Sequence, residues 1–393
     1  MRVLVLGAGG FIGRHAAAAL RAAGHEVMAG AVDFTRAPRA ADWTDALRGA
    51  HAVVNAVGIF RERGANRFER VHESAPCALF DACVACGVRR VVQVSALGAD
   101  EGARSRFHLS KRRADDYLAS LELDWSIVQP SLVFGEGGAS ARLFAMLAAL
   151  PFTPVPGAGR QQVQPIHVDD LAQAIVRLVA EPARARIAAV GPRALALREW
   201  LALLRLQLGL GRARFISVPL PLVPLDGETL AMLERGNTAP ADCVARLLGR
   251  APRDPAQFID AEAAGALATR ARLDWLLPLL AGSVAFVWVM SGVVSLGLYP
   301  VQESLAMLAR VGLASPWVLY GAAAFDIAMG IAIFALARRR WLWRLQMAAI
   351  VAYSAIIAVW LPEAWLHPFG PMLKNVPLLA AILLLHELEQ RPR

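Results

Sequence analysis

From residue 2 the chain alternates short apolar runs with longer stretches whose apolar residues recur at helical spacing. Arg2–Leu6 is an apolar run, and the helical stretch from Phe11 to Ala23 stops at Gly24. His25–Met28 reads as a strand, Arg39–Gly49 as a helix, and His51–Val57 as a strand. Phe68–Gly87 reads as a helix, Val88–Val94 as a strand, Ser110–Ser120 as a helix and Trp125–Gln129 as a strand. Strands alternating with helices predict an α/β fold with a doubly wound parallel sheet. Ligands of such sheets lie at the C-terminal strand ends, so Gly7, Asn55, Ser95 and Pro130 are expected to line one crevice.

The pattern changes near residue 275, beyond which charges become rare. Trp275–Leu298 is a 24-residue stretch without a charge, long enough to cross a bilayer at about 1.5 Å per residue. Ser315–Ala337 is a second such stretch, with Asp326 as its acidic residue, and Trp341–Leu361 a third. Asn375–His386 is a shorter fourth that contains Pro377. An all-α transmembrane bundle of about four helices is therefore expected to follow the sheet domain. Arg270 and Arg272 precede the first span, Arg338, Arg339, Arg340 and Arg344 join the second and third, and Arg391 and Arg393 end the chain. The opposite loops carry Arg310 and Lys374. The positive-inside rule then predicts a multi-pass protein of the cytoplasmic membrane with both termini in the cytoplasm. The N-terminal strand begins at once, leaving no room for a cleaved signal peptide, which agrees.

Composition adds that 56% of the 393 residues are hydrophobic and the net charge is +9, carried almost wholly by arginine. Lysine occurs only at Lys111 and Lys374. The basic residues are dispersed and flank membrane spans, which argues against a nucleic-acid surface. Cys77, Cys83, Cys86 and Cys243 form no disulfide framework. Cys83 and Cys86 spell CxxC inside a helical stretch, without a second pair for a metal, and read as core cysteines.

The first strand runs directly into Gly7-Ala8-Gly9-Gly10-Phe11-Ile12-Gly13 and then a helix, which is the context of a Rossmann-type dinucleotide fingerprint. Gly7 permits the tight turn, Gly10 lets the backbone approach a pyrophosphate, and Gly13 lets the helix pack closely on the strand. The amides of Phe11 and Ile12 belong to the helix N-terminus, where phosphate charge is favoured.

These residues, with Asn55-Ala56-Val57-Gly58, Val94-Ser95-Ala96, Phe107-x-x-x-Lys111, Gln129-Pro130-Ser131-x-x-Phe134-Gly135 and Ile166-His167-Val168-Asp169-Asp170, resemble the atypical short-chain dehydrogenase/reductases. That group includes the nucleotide-binding accessory subunit of respiratory complex I. The segments span roughly residues 1–260 in the family's order. The resemblance implies NAD or NADP as cofactor, held by Gly7, Gly10, Phe11, Ile12, Gly13, Asp33, Asn55, Ala56, Ser95, Lys111 and Pro130. It also implies an active site of Ser, Tyr and Lys, with Tyr and Lys four apart. Ser95 and Lys111 fit, but the tyrosine position is Phe107. A phenol exchanges a proton with a carbonyl being reduced and a phenyl ring does not. His108 is open as a substitute acid or as a solvated helix residue.

The adenosine side is short, with 22 residues between Met28 and His51. In one register Asp33 ends the second strand, 20 residues after Gly13, and accepts ribose hydroxyls, favouring NAD. In the other, which the spacing to Asp42, Trp43 and Leu47 suits better, Val32-Asp33-Phe34 is a third strand and one helix is deleted. Arg36 and Arg39 would then meet a 2′-phosphate, and NAD against NADP stays open. Asp169 is expected to cap the helix Leu171–Ala180, with Asp170 complementing its dipole.

The membrane part resembles the DoxX-like family in Gly297-Leu298-Tyr299-Pro300, Trp360-Leu361-Pro362-Glu363 and His367-Pro368-Phe369-Gly370-Pro371. Some relatives of that family serve quinone-linked oxidation. Asp326 within a span is a functional candidate or an interhelical hydrogen-bonding group, and Glu363 and His367 are substrate-near candidates. The expected organisation is a nucleotide-binding domain at 1–190, a substrate-side lobe at 191–265 and a transmembrane domain at 270–390. Two functions follow: a membrane-anchored oxidoreductase acting on a lipophilic, quinone-like substrate, or a catalytically degenerate sensor or scaffold for a membrane-complex partner.

Overall fold

The computed structural model describes residues 1–30, 32–36, 39–223, 226–336, 340–366 and 372–389. The chain divides into two compact units, Met1–Ala271 and Arg272–Arg393.

In the first unit the elements run β1 (Arg2–Leu6), α1 (Phe11–Ala22), β2 (Glu26–Ala29), β3 (Ala52–Asn55), α2 (Ala75–Cys86), β4 (Arg90–Val94), α3 (Arg106–Ser120) and β5 (Asp124–Pro130). Beyond β5 come α4 (Ala139–Ala149), α5 (Val168–Ala180), β6 (Arg186–Ala189), α6 (Leu197–Gln207), α7 (Gly227–Arg235) and α8 (Asp242–Leu248). The six strands of the main sheet are all parallel, in the order β6-β5-β4-β3-β1-β2. The strand order reverses between β1 and β3, so the crevice opens at Gly7 and Ala56, as expected for a Rossmann-type sheet.

Each face of the sheet carries its own core. On one, α1 turns Gly13, Ala16, Ala17 and Leu20 inward, and α5 adds Leu171, Ile175 and Leu178. The small residues of α1 let it lie close on the strands. On the other face α2 and α3 pack over Leu4, Val53 and Val91, with Trp43 and Phe80 wholly buried. Truncating either aromatic to alanine costs about 3–5 kcal/mol. A third core joins α4 to α6 around Trp200, Phe134 and Phe258.

The structure corrects several boundaries. Among the described residues no strand occupies 32–34. Phe34 instead packs edge-on against Trp43, with ring centroids 5.1 Å apart, and that burial draws the segment into a turn beside β2. The register in which Asp33 follows the second strand is the nearer one. The helix expected at Arg39–Gly49 is two short turns, Ala40–Trp43 and Thr44–Leu47. Residues Glu69–Ser74 form a wide turn before α2, and α3 starts at Arg106, earlier than Ser110. His167, not Asp169, caps α5, accepting the Asp169 amide at 3.3 Å. Asp170 is buried and bound to Arg250 at 2.5 Å and to the Arg253 amide at 2.7 Å.

The second unit is helical. Its elements are α9 (Ala261–Val293, which begins in the first unit's residues), α10 (Val301–Arg310), α11 (Pro316–Ala335), α12 (Arg340–Trp360) and α13 (Asn375–Leu388). Among the described residues three helices are long and apolar enough to cross a membrane: Ala261–Leu298 including its last wide turn, Pro316–Ala335 and Arg340–Trp360. The fourth apolar stretch forms a 14-residue helix, α13, short of the roughly 20 residues a helical span needs. The amphipathic α10 was not anticipated, because its apolar positions are interrupted by Gln302, Glu303 and Arg310. Gly292 and Gly330 bring α9 and α11 together: a Cβ on either would lie 2.5 Å from the Ala323 carbonyl oxygen or 2.7 Å from that of Ala285. Small residues of this kind let membrane helices approach closely.

Candidate functional site

The phosphate cradle is built from backbone. Gly7 has φ +78°, in the left-handed region, and a Cβ there would lie 3.0 Å from Ala56. Its carbonyl accepts the Gly10 amide at 2.8 Å. A Cβ on Gly13 would stand 2.0 Å from the same carbonyl oxygen, so only glycine lets α1 start against this turn. Gly10 caps α1, and the amides of Phe11, Ile12 and Gly13 are among the first four of the helix, which lack intrahelical acceptors. The Phe11 ring lies over Gly135 and Gly138 and so helps to wall the cradle.

A cavity of about 400 Å³ runs from Gly7 and Gly9 to Asp33 and Thr35, with Val57, Ile59 and Val71 on its other side. The Asp33 carboxylate accepts the Thr35 amide at 2.9 Å and the Thr35 hydroxyl at 2.7 Å. Those bonds, with Arg36 3.5 Å away, hold its carboxyl below the ordinary range. Asn55 turns inward: its amide donates to Gln93 at 2.8 Å and its oxygen accepts the Val57 amide at 3.2 Å. It shapes the Ala56–Val57 turn and does not face the cavity. Pro130 ends β5, and its carbonyl accepts the Leu97 amide at 3.0 Å.

Helix α3 is polar on average yet turns His108, Ser110, Lys111 and Asp115 inward along with Ala114 and Leu118. Lys111 Nζ donates to the Val94 carbonyl at 3.1 Å and the Val57 carbonyl at 3.3 Å. Burial lowers its pKa, opposed by Asp115 one turn on. Ser95 donates its hydroxyl to Asp115, and burial raises Asp115 above the ordinary carboxylate range against the pull of Ser95 and Lys111. Phe107, half-buried, sits in an aromatic box with Phe60, Phe68 and His72, centroids 5.4, 5.9 and 5.4 Å away. His72 accepts the Ile59 amide on Nε2 at 2.9 Å, so Nδ1 carries the proton toward Ser110 Oγ at 3.1 Å. Burial pushes the His72 pKa down to about 2, which keeps the ring neutral.

His108 is buried, not solvated. Its Nδ1 lies 3.0 Å from the Ser105 hydroxyl, and burial lowers its pKa. It lines a second cavity of about 270 Å³ with Arg104, Glu228, Met232 and Arg235. Glu228 accepts the Phe107 amide at 3.2 Å, tying α7 to the start of α3. Sequence reading missed Asp115, His72 and Glu228. Only Asp115 carried a signal, its opposite charge four residues from Lys111.

Cys83 is buried with its thiol pushed up to about 12, and Cys86 is exposed. Among the described residues no group of His, Cys, Asp and Glu suits a metal. In the second unit Asp326 is hydrogen-bonded by Tyr353, Glu363 pairs with Arg310, and His367 lies outside the described residues.

Residues 3–191 match the NAD dependent epimerase/dehydratase family, and residues 285–383 match the DoxX-like family. The chain joins a domain of the first family to a domain of the second. Over 201 residues the two-domain chain is 29% identical to a ceramide reductase of Caulobacter vibrioides, covering 46% of this chain and 61% of that protein. Over 180 residues it is 28% identical to mouse mitochondrial NADH dehydrogenase (ubiquinone) 1 alpha subcomplex subunit 9, covering 45% and 47%. It thus spans about half to three-fifths of these relatives' length. The human epimerase family protein SDR39U1 with NADPH superposes at a TM-score of 0.53 and 22% identity, over 69% of this chain and 99% of that one. UDP-glucose 4-epimerase of Thermus thermophilus with NAD gives 0.52 at 22%, over 69% and 99%. At these identities the likeness is one of fold.

Proposed function

We propose that the epimerase/dehydratase domain binds NAD(P) and that the protein is a membrane-anchored oxidoreductase acting on a lipophilic, carbonyl- or quinone-bearing substrate. The observation that carries the nucleotide is the cradle: glycine at 7 and 13 lets the turn and the start of α1 close on one another, which sets the unpaired first amides of α1 beside the turn for a pyrophosphate. Asp33, ionised at the far end of the cavity, suits ribose hydroxyls and favours NAD over NADP, while Arg36 beside it is the group a 2′-phosphate would meet. Lys111 would hold the nicotinamide ribose. The bound nicotinamide would supply or accept hydride; the chain's own part is to orient the substrate oxygen and handle its proton.

The lipophilic substrate is supported by the apolar side of the cavity, Val57, Ile59 and Val71, by the ceramide reductase relative, and by the DoxX-like domain. Residues 191–265 serve as a substrate-side lobe. We read the protein as multi-pass in the cytoplasmic membrane with both termini cytoplasmic, on the arginine distribution. A second reading, a degenerate nucleotide-binding sensor or scaffold with a membrane-complex partner, draws on Phe107 and on a Ser95 hydroxyl spent on Asp115. Titrating detergent-purified protein with NADH and NADPH by fluorescence, then assaying short-chain quinones and long-chain ketones, separates them. Binding with turnover supports the enzyme, binding alone the scaffold, and no binding overturns both.

A further inference from the structure

Behind Ser95 lies a buried carboxylate. Asp115 is fully buried, one helical turn past Lys111, and it accepts the Ser95 hydroxyl. A buried carboxylate is costly unless charges and hydrogen bonds surround it. Those facing Asp115 are Lys111 on its own helix, Ser95 beyond β4, Gln129 on β5 and Arg186 on β6. Arg186 is itself drawn to Asp116.

Ser95 has one hydrogen to give. While Asp115 is ionised that hydrogen points inward, and Ser95 Oγ offers the crevice only lone pairs. When Asp115 is protonated it donates to Ser95 Oγ, and the hydroxyl hydrogen is released outward. We propose that Asp115 is a positioning residue that sets the direction of the Ser95 hydroxyl, and so decides whether the crevice presents a donor to a carbonyl or an acceptor to an alcohol. This rests on the oxidoreductase reading. In reduction, a bound reduced nicotinamide would supply the hydride to the substrate carbonyl carbon and be oxidised. The substrate oxygen takes the Ser95 proton, Ser95 takes the Asp115 proton, and Asp115 is recharged from solvent. Oxidation of an alcohol reverses each transfer. The relay replaces the phenol that Phe107 lacks.

Two variants of the full chain test this. In Asp115→Asn the amide N–H donates to Ser95 Oγ at every pH. In Ser95→Ala the relay loses its outer member while Asp115 remains. The first readout, on protein without nucleotide, is infrared titration of the protonated-carboxyl C=O band. One such band is expected to titrate in the parent, to be missing in Asp115→Asn, and to shift in Ser95→Ala because its hydrogen-bond partner is gone. The second is the pH profile of NADH-dependent reduction of a long-chain methyl ketone. The parent rate is expected to fall about tenfold per pH unit above the Asp115 titration point, to be flat in Asp115→Asn, and to drop about 10²-fold at all pH in Ser95→Ala. NADH affinity is expected to fall in Asp115→Asn, because the charge of Lys111 leans on that carboxylate, so the rates are compared at saturating NADH. An Asp115→Asn profile that follows the parent's, or a carboxyl band indifferent to Ser95→Ala, overturns the proposal. If the band shifts as expected while no protein reduces the ketone or any quinone, the coupling of Asp115 to Ser95 stands and the oxidoreductase reading falls.

Discussion

Gly13→Ala puts the cradle under a defined load. The new Cβ would lie 2.0 Å from the Gly7 carbonyl oxygen and 2.6 Å from its carbon. An ordinary carbon–oxygen approach is about 3.3 Å, so either α1 retreats or the turn opens. Forcing a methyl into a packed site costs about 1–3 kcal/mol, which a domain of ordinary stability survives. The displaced carbonyl also holds the Gly10 amide at 2.8 Å, so the turn that aligns the helix N-terminus loosens with it. Where the turn relaxes in the free protein and must close again on the nucleotide, NADH affinity falls by up to about 5- to 150-fold; where it cannot relax, the strain lowers the melting temperature instead. Gly9→Ala is the control, because a Cβ there meets nothing within 4 Å, and stability should be parental. Fluorescence titration with NADH and thermal unfolding of the detergent-solubilised protein read both effects. A Gly13→Ala protein with parental affinity and parental melting temperature would refute the argument, since no cradle then depends on the contact between α1 and the turn.

Phe107→Tyr adds a phenol in the aromatic box; with the Ser95–Asp115 relay supplying the proton, ketone or quinone reduction at low pH should stay close to the parent's at similar cofactor affinity, and a rise of about 10²–10⁴-fold would mean that the parent has no working relay. Asp33→Asn should weaken NADH more than NADPH, and equal losses in the two titrations would remove Asp33 from the ribose. His72 is held neutral when folded, with a pKa near 2 against about 6.5 unfolded, so its contribution is complete above about pH 6.5 and is lost at up to about 1.4 kcal/mol per pH unit as pH falls below it. Denaturant midpoints against pH should show that slope in the parent and a shallower one in His72→Gln. Reporter fusions after Arg339 and at the C-terminus should read cytoplasmic and one near Glu363 external; an external signal after Arg339 inverts the topology.

What the sequence made legible was whatever a residue type dictates locally. A glycine required at 7 and 13 stays a glycine whatever else the chain does, so residue type alone was enough to place the cradle. The missing phenol at 107 is likewise a fact of covalent chemistry. Orientation was not legible. Asn55 and Ser95 both stand at strand ends where a crevice was expected, yet Asn55 spends its amide on Gln93 and Ser95 its hydroxyl on Asp115, partners 38 and 20 residues away. Asp169 and Asp170 looked alike as helix-start acids, and only the fold brings Arg250 onto one of them. The shortened adenosine side misled for a related reason. Phe34 looked like a strand residue, and the burial of Trp43 beneath it decided otherwise.

Lys111 has a structural explanation as well as a chemical one. Its ammonium has three hydrogens, and two go to the carbonyls of Val57 and Val94, which follow β3 and end β4 just before the Ser95 turn. A lysine used this way braces two strand ends that flank the crevice, and its presence alone does not distinguish a working site from a retired one. Glycine at 58 fits the same purpose, since a Cβ there would lie 3.2 Å from Lys111 Nζ. The third hydrogen is what remains for a ribose hydroxyl. It can be spared only while the amine stays charged, and in a buried setting that charge depends on Asp115. Binding of the ribose, the direction of the Ser95 hydroxyl and the charge of Lys111 are therefore tied through one carboxylate. A chain that kept the lysine only as a brace would have no physical need for the acid beneath it.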